Sequence, residues 1–268
     1  MALGCITLLS DFGTADPYVA AMKGVALSVN PEVHLVDISH EVTPHDVAEA
    51  GYVLACSFRY FPQGTVHVAV VDPGVGSERR ILAAEAAGHV LMAPDNGLLD
   101  VVLTDTPATR MVSVRNGDYF RHPVSMTFHG RDIFAPVAAH LTLGVGLGAL
   151  GPEVDDPVRL EAGRAQVSDR RVVGAVIHVD RFGNLVTNIS RSHLLAVGGN
   201  GLEDLCVRVD ETEIEGVRRT YTEVDVGELL AVIGSSGLLE ISANRESAAD
   251  VLGVGRRTEV AVRCGSEP

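Results

Sequence analysis

The stretch that most constrains this chain is the apolar, β-branched run 65–71 followed by Asp72-Pro73-Gly74-Val75-Gly76. Such a run reads as a buried strand. Pro73 removes a ladder donor and stops the strand, while Gly74 and Gly76 open backbone angles that other residues avoid. A carboxylate, Asp72, is thereby fixed at the C-terminal edge of a strand, where open α/β sheets bind ligands. Arg79 follows seven residues later, across the Gly-rich turn. A second charged cluster, Phe-His-Gly-Arg-Asp-Ile-Phe at 128–134, supplies His129 beside Arg131 and Asp132 at a helix start. A lone histidine is usually structural, but this company favours a catalytic role and makes the chain read as an enzyme.

Around that strand the pattern alternates. Segments 5–9, 33–38, 66–71, 81–86 and 90–93 read as strands, with 111–114 as an edge strand. Helices are expected from Pro17, capped by Asp16, from Pro44, capped by Thr43, and over 131–143. Strands alternating with helices imply βαβ units and a mainly parallel sheet, an α/β fold. The polar stretch 151–170, with Pro152 and Pro157, reads as a link, giving domains at 1–155 and 171–268 around a linker at 156–170. Beyond it the helical period disappears. Segments 172–179, 185–189, 206–209, 229–233, 238–241 and 260–262 are short β patterns of a small antiparallel sheet or barrel.

With 35 acidic and 21 basic side chains, the chain carries a formal charge of -14. This argues against nucleic acid, whose phosphates need a basic stripe, and suits a cationic small substrate. No apolar run reaches the roughly 18–20 residues of a membrane span, and the N-terminus shows no secretory signal pattern. Cys5, Cys56, Cys206 and Cys264 are far apart, without Cys-x-x-Cys spacing. They read as small buried hydrophobes, and a reduced, cytoplasmic location is expected.

Other motifs admit two readings each. Gly146-Leu-Gly148-Ala-Leu-Gly151 matches the dinucleotide fingerprint in form, but it follows a helix and runs into Pro152, so its context is wrong. Asp11 and Asp16 are a turn former and a cap, or paired carboxylates for sugar hydroxyls or a substrate ammonium. Asp180-Arg-Phe-Gly-Asn184 is a β-turn, or places Phe182 to stack on a base while Asp180 and Asn184 bond a ribose. Gly234-Ser-Ser-Gly237 is a hairpin loop, or a cradle of N–H groups and the Ser235 and Ser236 hydroxyls for a carboxylate. Asp95-Asn-Gly97 favours turn or N-cap chemistry. His40 and His45 surround a helix start, and a metal site there is disfavoured.

Six segments taken together are distinctive: Ser-Asp-Phe-Gly-Thr (10–14), Val-Asp-Pro-Gly-Val-Gly (71–76), Ala-Pro-Asp-Asn-Gly-Leu-Leu (93–99), Thr-Phe-His-Gly-Arg-Asp-Ile-Phe-Ala-Pro (127–136), Asp-Arg-Phe-Gly-Asn-Leu-Val-Thr-Asn (180–188) and Gly-Ser-Ser-Gly-Leu-Leu-Glu (234–240). They resemble the S-adenosyl-L-methionine hydrolase (adenosine-forming) family, the SAM hydroxide adenosyltransferases, relatives of fluorinase and chlorinase. The resemblance spans nearly the whole chain in order. It implies an N-terminal Rossmann-like domain, a C-terminal antiparallel β-barrel, and a homotrimer with active sites at subunit interfaces.

By the same resemblance, Asp72, Arg79 and His129 form the triad that handles the attacking water, where halide-using relatives carry uncharged residues. Asp11 and Asp16 would hold the sugar, while Asp180 and Asn184 come from the barrel, with Phe182 a stacking group. The turn at 180–184 is one residue shorter than the fluorinase pattern. Ser235 and Ser236 align with the methionine-binding segment, and Ala243 and Asn244 with the adenine-binding backbone. S-adenosyl-L-methionine is then the substrate, with no cofactor and no metal expected. Rival readings are a halide transferase, a metal-dependent hydrolase and a noncatalytic adenosine-binding protein. Halogenated product, chelator sensitivity and binding without turnover, respectively, would reveal them.

Overall fold

The computed structural model describes residues 4–160, 165–168, 170–197 and 201–264. The chain divides into two compact units, Met1–Leu160 and Glu161–Pro268.

The first unit is α/β. Its strands are β1 (Cys5–Ser10), β2 (His34–Ser39), β3 (Val66–Val70), β4 (Ile81–Ala86), β5 (His89–Pro94) and β6 (Arg110–Ser113). They form one sheet in the order β2-β1-β3-β5-β4-β6. Pairing is parallel from β2 to β5 and antiparallel from β5 through β4 to β6. Helices α1 (Tyr18–Val29), α2 (Val47–Ser57), α3 (Leu98–Leu103) and α4 (Ala135–Thr142) cover it. Strands β1, β3, β4 and β5 are mostly apolar because both their faces are buried, whereas edge strand β2 is largely exposed. Ile6, Leu8, Val66, Val68 and Val70 pack with Met22 and Ala26 of α1 and Val137 and Ala138 of α4. Leu9, Ala69 and Val71 pack with Ala50 and Leu54 of α2 and Leu98, Leu99 and Val102 of α3.

Two expected caps are corrected. Pro17, not Asp16, occupies the cap position of α1, and no side chain caps it. Proline's fixed φ lets it end the approach to the helix, which leaves Asp16 one residue outside. The second helix starts at Val47 rather than at Pro44, because Asp46 is the better cap. Its carboxylate accepts from the Glu49 amide at 2.9 Å, and Glu49 accepts from the Thr43 amide at 3.0 Å. The first bond caps the helix, and the second ties Glu49 back to the turn that precedes it. Helix α3 was not expected as a helix, although the 95–97 motif at its start reads as turn or N-cap chemistry. It begins at Gly97, whose φ of +95° suits glycine, after Asn96 has turned the chain.

Polar segment 151–160 is tied to the first unit: the Val154 amide donates to Met111, and the Val158 amide donates to the Asp95 carboxylate at 2.8 Å.

The second unit is a β-rich barrel-like sheet. Its strands are β7 (Gln166–Ser168), β8 (Arg171–Val179), β9 (Leu185–Ser190), β10 (Leu205–Val209), β11 (Thr212–Glu215), β12 (Val217–Arg218), β13 (Leu229–Ile233), β14 (Leu238–Ala243) and β15 (Glu259–Cys264). The order is β11-β10-β15-β8-β9-β14-β13-β12, with β7 beside β8. Terminal strand β11 lies close to β13, so the sheet curls nearly shut. Pairing is antiparallel except for the short β12–β13 pair. Two short helices, α5 (Arg191–Val197) and α6 (Ala248–Leu252), correct the expectation that helices end with the first unit. Each is too short to show a period. Val172, Val176, Leu185, Ile189, Leu239 and Ile241 fill the barrel core.

Candidate active site

In the first unit, β1 and β3 are parallel neighbours with Ser10 opposite Val70. Asp11 and Asp72 therefore leave the sheet side by side at its carboxyl edge, the expected ligand edge. The loop after β3 folds back through bonds from the Val75 amide to Asp72 and from the Ser77 amide to Gly74. Gly76 adopts φ +80°, and a Cβ there would fall 2.4 Å from the Met126 carbonyl oxygen. Only glycine lets this loop touch the segment before His129. Gly74, by contrast, needs no special angle, which narrows the sequence reading to one glycine.

That contact assembles three side chains. Arg79 Nε donates to both Asp72 carboxylate oxygens, at 3.0 and 2.9 Å, and its Nη2 adds a third bond to Asp72 Oδ2. The same Nη2 donates to His129 Nδ1 at 2.8 Å. All three groups are largely buried, with Asp72 and Arg79 side chains 5% and 11% exposed. Arginine has donors only, so His129 Nδ1 is an acceptor and the neutral ring carries its proton on Nε2. Burial first, and the Arg79 charge second, hold the His129 pKa below its ordinary value, although Asp72 and Asp132 pull the other way.

His129 opens a π-helical turn, Gly130–Phe134, that runs into α4. Asp132 fixes this segment from beneath. Its fully buried carboxylate accepts from Arg131 Nε at 2.7 Å, the Ser125 amide at 2.9 Å and Arg121 Nη1 at 3.1 Å. Burial alone would raise the Asp132 pKa; these donors outweigh it and hold the group at about 2. Asp132 is a positioning residue, and its partner Arg121 escaped the sequence reading.

Asp11 accepts from the His45 amide at 2.8 Å, and His45 takes φ +68° to make that bond. Asp16 is exposed on the following bend. Phe12, Tyr18 and Phe128 form an aromatic trio with centroids 5.3–6.1 Å apart, joining the Asp11 turn to the residue before His129. That trio was not anticipated, although Phe12 and Phe128 lie inside two quoted motifs. Asp95 pairs with Arg80 at 2.6 Å and Asn96 donates to the Val71 carbonyl at 2.9 Å, so the 95–97 motif is structural here. His40 Nδ1 bonds the Ser10 hydroxyl at 2.7 Å. Among the described residues no group of three or more His, Cys, Asp or Glu side chains forms a metal-ligand cluster.

In the second unit, Asp180 organises its turn. Its Oδ1 accepts from the Phe182 and Asn184 amides at 2.8 and 2.9 Å, and its Oδ2 from Asn184 Nδ2 at 2.8 Å. Phe182 projects outward at 77% exposure, while Asn184 is buried. The turn reading and the binding reading coexist, since the aromatic face is left open. Ser235 and Ser236 sit exposed at a hairpin tip closed by the Gly234 and Gly237 amides. Ala243 ends β14 and Asn244 opens the turn after it, both buried, with Asn244 Nδ2 donating to the Val224 carbonyl at 2.8 Å.

The comparisons with known proteins complete this picture. Residues 6–151 match the model of the SAM hydroxide adenosyltransferase N-terminal domain, and residues 174–261 that of the C-terminal domain. The chain belongs to the SAM hydroxide adenosyltransferase family. Within the family, the chain is 40% identical to an (R)-S-adenosyl-L-methionine hydrolase of Thermus thermophilus, covering 93% of this chain and 95% of that one. A fluorinase of Nocardia brasiliensis is 30% identical, covering 91% of each. The crystal structure of an uncharacterised conserved protein from Thermotoga maritima matches with a TM-score of 0.90 at 37% identity, covering 96% of this chain and 99% of that one.

Proposed function

We propose that this SAM hydroxide adenosyltransferase hydrolyses S-adenosyl-L-methionine to adenosine and L-methionine, through in-line attack of water on C5′. The observation that carries the mechanism is Arg79 bridging Asp72 and His129 in a single buried cluster. The sulfonium is already a good neutral leaving group, so the difficulty lies in the nucleophile, since free water has a pKa of about 15.7. Arg79 occupies His129 Nδ1, which leaves Nε2–H to donate to the water oxygen rather than to take its proton. Asp72 then accepts the proton, and the Arg79 guanidinium and His129 N–H stabilise the hydroxide-like charge. Holding that water roughly 3–3.5 Å from C5′ removes much of the entropic barrier.

Asp11 and Asp16 take the ribose hydroxyls. Asp180, Phe182 and Asn184 take the nucleoside, Ala243 and Asn244 the adenine, and Ser235 and Ser236 the methionine carboxylate. Following the family resemblance, the assembly is a homotrimer whose sites draw on neighbouring subunits. The four cysteines, none of them in a disulfide, suit a reducing, cytoplasmic setting, and among the described residues no helix is long and apolar enough to cross a membrane.

Incubation with S-adenosyl-L-methionine in labelled water should yield adenosine labelled at the 5′ oxygen. Unlabelled adenosine, or no adenosine at all, would refute the reaction.

A further inference from the structure

In the second unit, β14 alternates its side chains: Leu239 and Ile241 enter the barrel core, which puts Glu240 and Ser242 on the opposite face. Glu240 is nevertheless only 8% exposed. A carboxylate so enclosed normally has a cation or several donors. Glu240 has neither. Its one hydrogen bond among the described residues comes from the Tyr221 hydroxyl to Oε2 at 3.5 Å, the limit of such a contact. Oε1 accepts nothing from them, and it is not among the sealed, partnerless atoms.

The neighbourhood adds negative charge rather than removing it. Burial first, and the Asp180 carboxylate second, push the Glu240 pKa upward. Asp180 has its own donors, as described above; Glu240 is the carboxylate left waiting for one. Oε1 also lies against Gly234, the residue that leads into Ser235 and Ser236. A Cβ on Gly234 would stand 1.7 Å from it, so only glycine admits the carboxylate there. The Ser235 and Ser236 amides donate no hydrogen bond to the described residues. Two amides without a described bond thus follow in the chain directly after the residue that this carboxylate approaches. That is the pattern a free amino-acid end group requires, with its carboxylate and ammonium one carbon apart.

We propose that Glu240 receives the α-ammonium of the methionine moiety, making it a substrate-specificity residue for this reaction. The assignment rests on the reading that S-adenosyl-L-methionine is the substrate. An ammonium brings compact positive charge and three donors, which offsets the crowding of Glu240 and Asp180.

The test is Glu240→Gln, which keeps the shape and the Tyr221 contact but removes the charge. KM for S-adenosyl-L-methionine should rise roughly tenfold or more, while kcat and adenosine affinity change by less than about threefold. An analogue lacking the α-amino group but keeping the sulfonium should bind wild type and variant alike. Gly234→Ala, which displaces the carboxylate without neutralising it, should shift KM in the same direction. Unchanged KM, an equal loss for the deaminated analogue, or an equal loss of adenosine affinity would each overturn the proposal. Calorimetric binding of L-methionine separates the two readings. A wild type that binds it, with a variant that does not, supports Glu240 even if no hydrolysis is seen; a wild type that does not bind it overturns the assignment.

Discussion

At the first unit's candidate site the charged groups hold one another, whereas in the second unit Asp180 is held by its own turn and Glu240 is buried without a cation. Asp72, Arg79 and His129 come from two distant segments and are locked by side-chain bonds. Asp180 is tied to amides two and four residues away, and Phe182 stands open beside it. The difference follows from what each task demands. Proton handling needs groups fixed within a fraction of an ångström, so their partners are other side chains on rigid strand ends. Holding a nucleoside and an amino acid needs surfaces that keep free donors, acceptors and ring faces until the ligand arrives.

The contrast breaks most sharply through turnover. Asp72→Ala should lower kcat by about 10²–10⁴-fold with adenosine affinity unchanged, as measured by single-turnover kinetics and calorimetry. Comparable losses of both would mean that Asp72 only supports the fold. Asp180→Asn should do the reverse. Its new amide would meet Asn184 Nδ2 donor to donor, raising KM by about tenfold with kcat kept. Should kcat fall instead, the division of labour between the units is wrong.

Mixing sharpens the same contrast. If neighbouring subunits share sites, co-refolded Asp72→Ala and Asp180→Asn chains, assayed at substrate well below the raised KM, should exceed the summed activity of the two variants alone; additive activity would point to sites within single chains. Gly76→Ala, which drives a Cβ onto the Met126 carbonyl, should cost the first unit about 1–3 kcal/mol and lower kcat, read by thermal melts and kinetics.

The effect expected to touch turnover least concerns acid stability. His67 is fully buried, with Thr7 on Nδ1 at 2.7 Å and His89 on Nε2 at 3.2 Å. Burial, and then the His89 charge, push its pKa down to about 3 from 6.5. Between those values the unfolded chain binds the extra proton. Stability is therefore full above pH 6.5 and falls as pH drops toward 3, by up to about 1.4 kcal/mol per pH unit. His67→Gln should flatten that slope in denaturant titrations. An unchanged slope would place the acid sensitivity elsewhere.

How much of this was legible in the residues depends on range. Strand positions follow from apolar runs, and most boundaries fall within a residue or two because burial on both faces dictates the pattern. Helix starts were misplaced where two capping residues compete: Thr43 against Asp46, and Asp16 against Pro17. The short helices α3, α5 and α6 contain too few turns for a period to show. Asp72, Arg79 and His129 stood out by residue type and motif, and so did the Asp180 turn. Glu240 did not, because alternation along β14 marks it only as a polar position on a strand.

The sequence by itself determined the local facts: the longer strands but not β7, β11 or β12, where Pro73 and Gly76 break the chain, and which motifs tie it to its family. Tertiary structure alone decided the pairings. Arg79 meets His129 across 50 residues, Asp132 is wrapped by Arg121 and Ser125, and Glu240 is buried without a cation under Gly234. The physical reason is that protonation, tautomer and charge balance depend on distance and solvent exclusion. Those quantities exist only after the chain has folded.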